Sequence, residues 1–551
     1  MTEQLAPASD WYRKAVFYEV MVRSFKDTNG DGYGDLRGMI EKLDYLQWLG
    51  IDAIWLPPFF ESPLLDGGYD VADYRAVNPL YGSMADFDEF LEGAHARGMR
   101  VVIDLVINHT SSEHEWFQQS RTDPAGPFGE FYVWSDTDEK FENVRIIFTD
   151  TETSNWAWDD VRGQYYWHRF FSHQPDLNFE NPAVHDAVFD ISRYWLEKGV
   201  DGFRLDAIPY LYVSEGNTGE SEPETHTFIQ SLRAMMDREY PGRMLVAEAN
   251  QQPREVLDYL GTEETPECNM AFNFPVMPYI FYALKSADTT GLATTLNDLP
   301  PVPAGSAWGV FLRNHDELTL EMVSDAEKEQ MYAWYAPEPR MKVNVGIRRR
   351  LAPLLDGRRD KIELANALLL SLPGSPFLYY GDEIAMGDNI WLDDRDASRT
   401  PMQWSSDAAA GFSNAPVDSF YLPVVNSTEY SPDRVNVENQ VADPHSLLNW
   451  TREMLALRKT LGAVQTGTFR GLTTGSPAVL AFVREPESPG NPILCVFNFA
   501  ESAVSVSISG VAPAGSSIVD VRGGTAAVEI SDSGLADLDL PPMSWHWLQV
   551  S

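Results

Sequence analysis

The stretch "VDGFRLDAIPY", residues 200–210, begins like a buried strand but carries Arg204 and Asp206 two positions apart. A strand's period of two turns both side chains to one face. Ionised groups cost several kcal/mol each in an apolar interior unless they are paired. A strand whose end opens into a cleft resolves the conflict.

Working outward, similar runs recur: "AVFYEVMVRSF" (15–25), "IDAIWLPPF" (51–59), "MRVVIDLVINH" (99–109), "RMLVAEAN" (243–250), "AWGVFLRNHDE" (307–317) and "SPFLYYGDE" (375–383). Helical patterns lie between most of them, among them "DLRGMIEKLDYLQWLG" (35–50) and "AVHDAVFDISRYWLEKG" (183–199). Strand and helix alternating through about eight units favour an α/β fold, a closed (β/α)8 TIM barrel rather than an open sheet.

Two insertions interrupt the alternation. Residues 108–181, rich in aromatics, Asp and Ser, read as an inserted loop-rich B domain, and residues of about 318–360 as a second, lid-like insertion. The barrel then occupies 1–107 and 182–456. From 457 to 551 short alternating runs broken by Gly, Pro and Ser predict a C-terminal antiparallel β-sandwich.

Composition narrows the function. A formal net charge of -41, from 82 acidic and 41 basic residues, argues against binding nucleic acid. No apolar run suits a membrane span, and "MTEQLAPASDWYRK" has no secretory pattern, so a cytoplasmic location is expected. Cys268 and Cys495 offer neither a disulfide framework nor metal-ligand spacing, and both are expected to be buried.

Reactive residue types gather at strand ends: Asp104, Asn108 and His109; Arg204 and Asp206; Glu248; His315 and Asp316. The strand ends of a (β/α)8 barrel converge on one face, where catalytic groups collect. In "DTNGDGYGD" (27–35), Asp27, Asn29, Asp31 and Asp35 alternate with glycines. Such hard oxygen ligands suit Ca²⁺, although an Asx-rich turn has the same composition. An EF-hand is disfavoured, since its twelfth position is Gly38.

"DLVINH" (104–109), "GFRLDA" (202–207), "VAEAN" (246–250) and "FLRNHD" (311–316) resemble, in order, the four conserved segments of the α-amylase superfamily, glycoside hydrolase family 13. "HQPDLNF" (173–179) and "RTPMQW" (399–404) are similar to motifs of its oligo-1,6-glucosidase and trehalose synthase branch. The resemblance implies Asp206 as nucleophile, Glu248 as general acid/base and Asp316 as transition-state stabiliser. It implies sugar contacts from His109, His315, Gln174, Arg204, Asn250, Glu317, Arg395 and Arg399. Asp70 is the expected partner of the terminal glucose, with Tyr69, Phe170 and Phe171 as stacking walls. The loop cation would be Ca²⁺, with the Tyr33 carbonyl as a further ligand. A second divalent cation would lie between Asn108, Asp176, Tyr210 and Leu211, although Val213 stands where the branch carries a glutamate. No organic cofactor is implied.

The segments around these motifs, such as "FLRNHDELTLEMV" and "IRRRLAPLL", resemble the trehalose synthases more than the hydrolases. That implies an isomerase that interconverts maltose and trehalose through a covalent glucosyl-enzyme, with minor hydrolysis; the alternative is a retaining α-glucosidase or oligo-1,6-glucosidase. Such an enzyme must exclude water from the intermediate. Arg145, Glu321 and Tyr210, with Asn250, Glu317 and Arg395, are the expected closing residues. Expected partners are small disaccharides, with a homodimer or higher oligomer and a maltokinase compatible with the resemblance.

Overall fold

The computed structural model describes residues 10–523 and 527–551. The N-terminal segment read above for a secretory pattern lies outside them up to residue 9. Eight parallel strands close into a barrel: β1 (Phe17–Glu19), β2 (Ala53–Leu56), β3 (Arg100–Val106), β4 (Gly202–Asp206), β5 (Met244–Ala247), β6 (Met270–Phe272), β7 (Ala307–Phe311) and β8 (Ser375–Tyr379). Every residue of these strands is buried, as expected for a parallel sheet covered on both faces.

The covering helices follow local rules. Pro182–Lys198 starts at Asn181, whose side chain accepts from Ala183 N, and it ends at Gly199 in the left-handed region, at φ 111°. Its buried residues Val184, Val188, Ile191 and Trp195 recur at helical spacing and face the barrel.

The register of β3 against β4 aligns Asp104 with Arg204 and Val106 with Asp206. Polar side chains from neighbouring strands therefore share one layer at the barrel mouth. At the opposite end, Asp201 accepts from Arg100 Nη1 at 2.8 Å, Arg243 Nη1 at 2.6 Å and Val101 N at 2.9 Å, and pairs with His95 at 2.7 Å. Burial alone would raise this carboxyl, but His95, Arg243 and Arg100 outweigh it and hold it below the usual range. Its stabilisation is thus present above the unfolded-state pKa and is lost as pH falls through the folded one. Asp201→Ala should cost about 3–5 kcal/mol by removing the buried carboxylate on which Arg100, Arg243, His95 and the Val101 N–H converge, measured as a lower denaturant midpoint.

The insertion after β3 is more regular than its sequence suggests. It contains a helix, Glu115–Thr122, and a three-stranded antiparallel sheet of Trp134–Ser135, Gln164–Trp167 and Trp156–Asp159. The second insertion holds the helix Asp325–Tyr335 and a small sheet whose hairpin, Lys342–Val343 with Gly346–Ile347, turns at Asn344. Beyond the barrel, a six-stranded and a two-stranded antiparallel sheet share an apolar core from Val479 to Val550. The boundary expected at 456/457 is corrected here: it falls inside the helix Leu447–Thr460, and the first sandwich strand is Thr468–Leu472. That helix packs its Leu448, Met454 and Leu455 into the barrel core, so the chain leaves the barrel later than the change in composition suggests. Both cysteines are free and buried. Among the described residues no helix is long and apolar enough to cross a membrane.

Candidate active site

Arg204 organises the barrel mouth. One guanidinium nitrogen donates to Asp104 at 2.8 Å and also to Asp206, while the other reaches Glu248 Oε1 at 2.9 Å. This cation, 2% exposed, holds three carboxylates from three neighbouring strands. Ala207, just past β4, has a left-handed backbone at φ 50°, and its N–H donates to Glu248 Oε2 at 2.9 Å. Such a conformation is costly for a residue with a side chain and is concentrated at functional sites.

Burial pushes Asp206 up to about 6; Arg204 opposes it, and Asp104 and Asp316 add to it. Glu248 rises to about 7, chiefly by burial, with Arg204 opposing and Asp206 and Asp316 reinforcing. Asp316 goes the other way. Burial would raise it, but His315, Arg395 and Arg399 together hold it well below the carboxylate range. Two carboxyls are thus poised near neutrality beside one that stays ionised, an arrangement suited to general acid/base work.

Asp316 lies in the loop beyond β7 rather than at the strand's end. The Arg313 side chain grips the Asp316 carbonyl, and Arg395 Nη1 and Arg399 Nη2 reach its carboxylate at 2.9 and 3.2 Å. Asp206, Glu248 and Asp316 line one cavity of about 150 Å³ with Tyr69, His109, Phe170, Tyr210, Asn250, Glu317 and Arg395. Burial lowers His109 to about 3, so its imidazole is neutral.

Asp70 does not belong to this cavity, which corrects the sequence expectation. Its carboxylate accepts from Ser62 Oγ, Leu65 N and Asp66 N and ties the loop together from within. Asp66 lines the cavity instead, accepting from Arg395 Nη2 at 2.6 Å and Gln174 Nε2 at 2.9 Å. Gly68 permits the turn: its φ is 111°, and a Cβ there would meet Pro58 O at 2.6 Å. Gln174 and Arg399 stand behind the lining and orient Asp66 and Asp316. Phe171 backs Phe148 at 4.6 Å between ring centres, and Phe148 forms the wall that the sequence reading missed.

The rim is an ion-pair bridge. Arg145, from the inserted lobe, reaches Glu321 of the second insertion at 3.2 Å and Tyr210 Oη at 3.5 Å. Asn250, after β5, donates to the other Glu321 oxygen at 3.2 Å. Glu220 completes the bridge by accepting from Arg145 at 2.8 Å and Arg169 at 3.2 Å. A second clasp was also not foreseen: Asn344 N, at the hairpin tip, donates to Asp150 of the lobe at 2.8 Å. Beyond the rim lies an outer cavity of about 630 Å³ that shares Arg145, Asn250 and Glu321 with the inner one. Neither Glu220 nor Asn344 carried a sequence signal beyond its place in a long loop.

In the loop 27–35, Asp27 accepts from Gly30 N and Gly32 N, Asn29 from Asp31 N, and Asp31 from Tyr33 N. Asp35 caps the next helix through Gly38 N and also accepts from Thr28. These bonds leave oxygen lone pairs unused, and the donor set is entirely hard. Among the described residues no three His, Cys, Asp or Glu side chains converge by themselves on a cation position, so Asn29 and the Tyr33 carbonyl would be needed. At the second expected site the Asn108 Oδ1 is buried without a partner, and burial raises Asp176 to about 8. Asp176, Tyr210, Leu211 and Val213 line a small gap there.

The family described as "Alpha amylase, catalytic domain" matches residues 19–467, and "Maltogenic Amylase, C-terminal domain" matches residues 469–547. The chain is 54% identical to the trehalose synthase/amylase of Mycolicibacterium smegmatis, with 98% of this chain and 93% of that one covered. It is 56% identical to the trehalose synthase of Pimelobacter, with 90% and 88% covered. Identity to the oligo-1,6-glucosidase of Heyndrickxia coagulans is 32%, with 90% and 93% covered. Among solved structures, the trehalulose synthase of Pseudomonas mesoacidophila superposes with a TM-score of 0.77 at 28% identity, covering 98% of this chain and 99% of that one. The catalytic-domain match spans 19–467, well over half of the sequence, and the chain belongs to the α-amylase family.

Proposed function

We propose that this protein interconverts maltose and trehalose by intramolecular glucosyl transfer, with minor hydrolysis to glucose. Asp206 attacks the anomeric carbon of the non-reducing glucose while Glu248 gives its proton to the departing 4-oxygen. The C–O bond breaks, a glucosyl ester forms on Asp206, and one glucose is freed inside the cavity. That glucose turns and its anomeric hydroxyl attacks the anomeric carbon of the glucosyl ester. Glu248 recovers the proton, and the Asp206 carboxylate leaves. Two inversions give net retention. Asp316, ionised throughout, stabilises the positive charge of the transition state.

The observation that carries this reading is the rim. Arg145, Glu321 and Asn250 join three separate segments over the carboxylates, as retention of a freed glucose against water requires. Relatives at 54% and 56% identity named trehalose synthase support the same choice, whereas the oligo-1,6-glucosidase stands at 32%. Incubating the purified protein with maltose tests it. Trehalose should accumulate ahead of glucose; glucose alone would make the enzyme a hydrolase.

Turnover needs Asp206 ionised and Glu248 protonated. With Asp206 near 6 and Glu248 near 7, kcat/KM for maltose should follow a bell, falling below about pH 6 and above about pH 7. A rate that is flat from pH 5 to 9 would contradict these roles.

We also propose Ca²⁺ in the loop 27–35, held by Asp27, Asn29, Asp31, Asp35 and the Tyr33 carbonyl, with a structural rather than chemical part. Chelation should lower the melting temperature by several degrees, and added Ca²⁺ should restore it. A second cation at Asn108 and Asp176 is proposed on the unpartnered Asn108 oxygen.

A further inference from the structure

His315 is enclosed on every side, and the proton positions on its ring follow from its neighbours. Nδ1 meets Glu19, the last residue of β1, whose Oε1 also accepts the His315 backbone N–H at 3.2 Å. A carboxylate oxygen that takes that N–H is acting as an acceptor, so Nδ1 must carry a proton. Nε2 lies 2.8 Å from Tyr69 Oη and 3.2 Å from Asp316 Oδ2. Tyr69 has one proton and gives it to Asp104 Oδ2 at 2.7 Å, an oxygen that also receives Arg204. Tyr69 therefore faces His315 with a lone pair, as Asp316 does. Nε2 must carry a proton too.

Both nitrogens being donors, the ring is an imidazolium. We propose that Glu19 is a positioning residue that locks His315 in this charged form, making it the inner counter-charge of Asp316. Glu19 and His315 are each 1% exposed, and the buried imidazolium is kept by two carboxylates, Asp316 on one nitrogen and Glu19 on the other. The ring also stacks on Tyr69, with centres 5.3 Å apart, and its backbone carbonyl accepts from Arg399 Nε at 2.9 Å. Tyr379 on β8 and Asp382 after it also lie close enough to Glu19 to feel its charge. Burial would lower His315, but Asp316 and Glu19 raise it to about 9, in line with the contacts.

The consequence for the site is a charge that does not change across neutral pH. Without the negative partner at position 19, the buried imidazole would have Asp316 alone to offset its burial, and it would lose one proton near neutrality. Asp316 would then keep only Arg395 and Arg399 on its other oxygen. The transition-state stabiliser would become pH-dependent, although Glu19 never touches the sugar. The kinetic part of this inference rests on the role given to Asp316 above; the protonation state does not.

The test uses the whole chain labelled with ¹⁵N-histidine, the signals of His315 being identified by their loss in His315→Asn. In the wild type both ring nitrogens should remain protonated from pH 6 to pH 8. In Glu19→Gln, which keeps the shape and removes the charge, His315 should titrate within that range. The kcat for maltose should fall about 10- to 100-fold, KM should change far less, and activity should fall off earlier as pH rises. Glu19→Asp should retain the imidazolium. A wild-type His315 with one unprotonated nitrogen at pH 7 overturns the proposal, and that measurement stands even if the position-19 variants do not fold. Equal losses in both variants with an unmoved pH profile would assign Glu19 to packing and overturn it as well. An intact imidazolium in a protein that makes no trehalose would leave the protonation result standing and remove only the reaction assigned above.

Discussion

Asp206→Asn should abolish both trehalose formation and glucose release, lowering maltose turnover by at least about 10⁴-fold. The amide keeps the shape of the carboxyl and can still face Arg204, so the fold should survive. It cannot form the glycosyl ester, because its nitrogen and neutral oxygen are poor nucleophiles. Arg204 would then hold Asp104 and Glu248 alone, and Glu248 would lose a negative neighbour that helps raise it. The measurement is single-turnover release of glucose and trehalose from maltose, with circular dichroism to show that the fold is intact. Trehalose formation within tenfold of the wild type would remove Asp206 from the nucleophile's role.

Glu321→Ala should change the product ratio more than the rate. Glu321 receives Arg145 on one oxygen and Asn250 on the other, so its loss opens the bridge between the inserted lobe, the second insertion and the segment after β5. Asp206, Glu248 and Asp316 keep their own partners, none of which is Glu321. Bond cleavage should therefore continue while water reaches the glucosyl-enzyme more often. The ratio of glucose to trehalose should rise about tenfold, equivalent to about 1.4 kcal/mol of lost discrimination against water. Total maltose consumption should fall by less than that factor, and the ratio should climb further on warming as the loops open more often. If activity falls with the ratio unchanged, Glu321 is a support or a sugar contact and the rim does not gate water.

The same contrast runs through the whole molecule. The barrel and the C-terminal sheets were legible because each is written in a local code, and the inserted lobe showed only as a break in that code. Strands repeat their side-chain direction every two residues, helices repeat theirs every 3.6, and caps such as Asn181 and Gly199 mark where one gives way to the next. The carboxylates proposed as catalytic stand out for a related reason: Asp206 and Glu248 sit at or just past strand ends, and closing the barrel brings all such ends to one mouth. Where the code stops, the reading failed. In "LLDGGYDVADY" two acids stand four residues apart, and the sequence reading chose Asp70 for the sugar, whereas the fold turns Asp66 to the cavity and Asp70 inward. A loop has no period, so the direction of its side chains depends on what it packs against. Glu220, Phe148 and Asn344 reach the site from distant loops, and Glu19 reaches His315 across 296 positions of the chain. Such meetings are fixed only when the eight strands close, because a barrel joins its first strand to its last. Sequence alone determined which groups stand at the strand ends; tertiary structure decided which loops meet them, because that choice is made by packing across the closed ring.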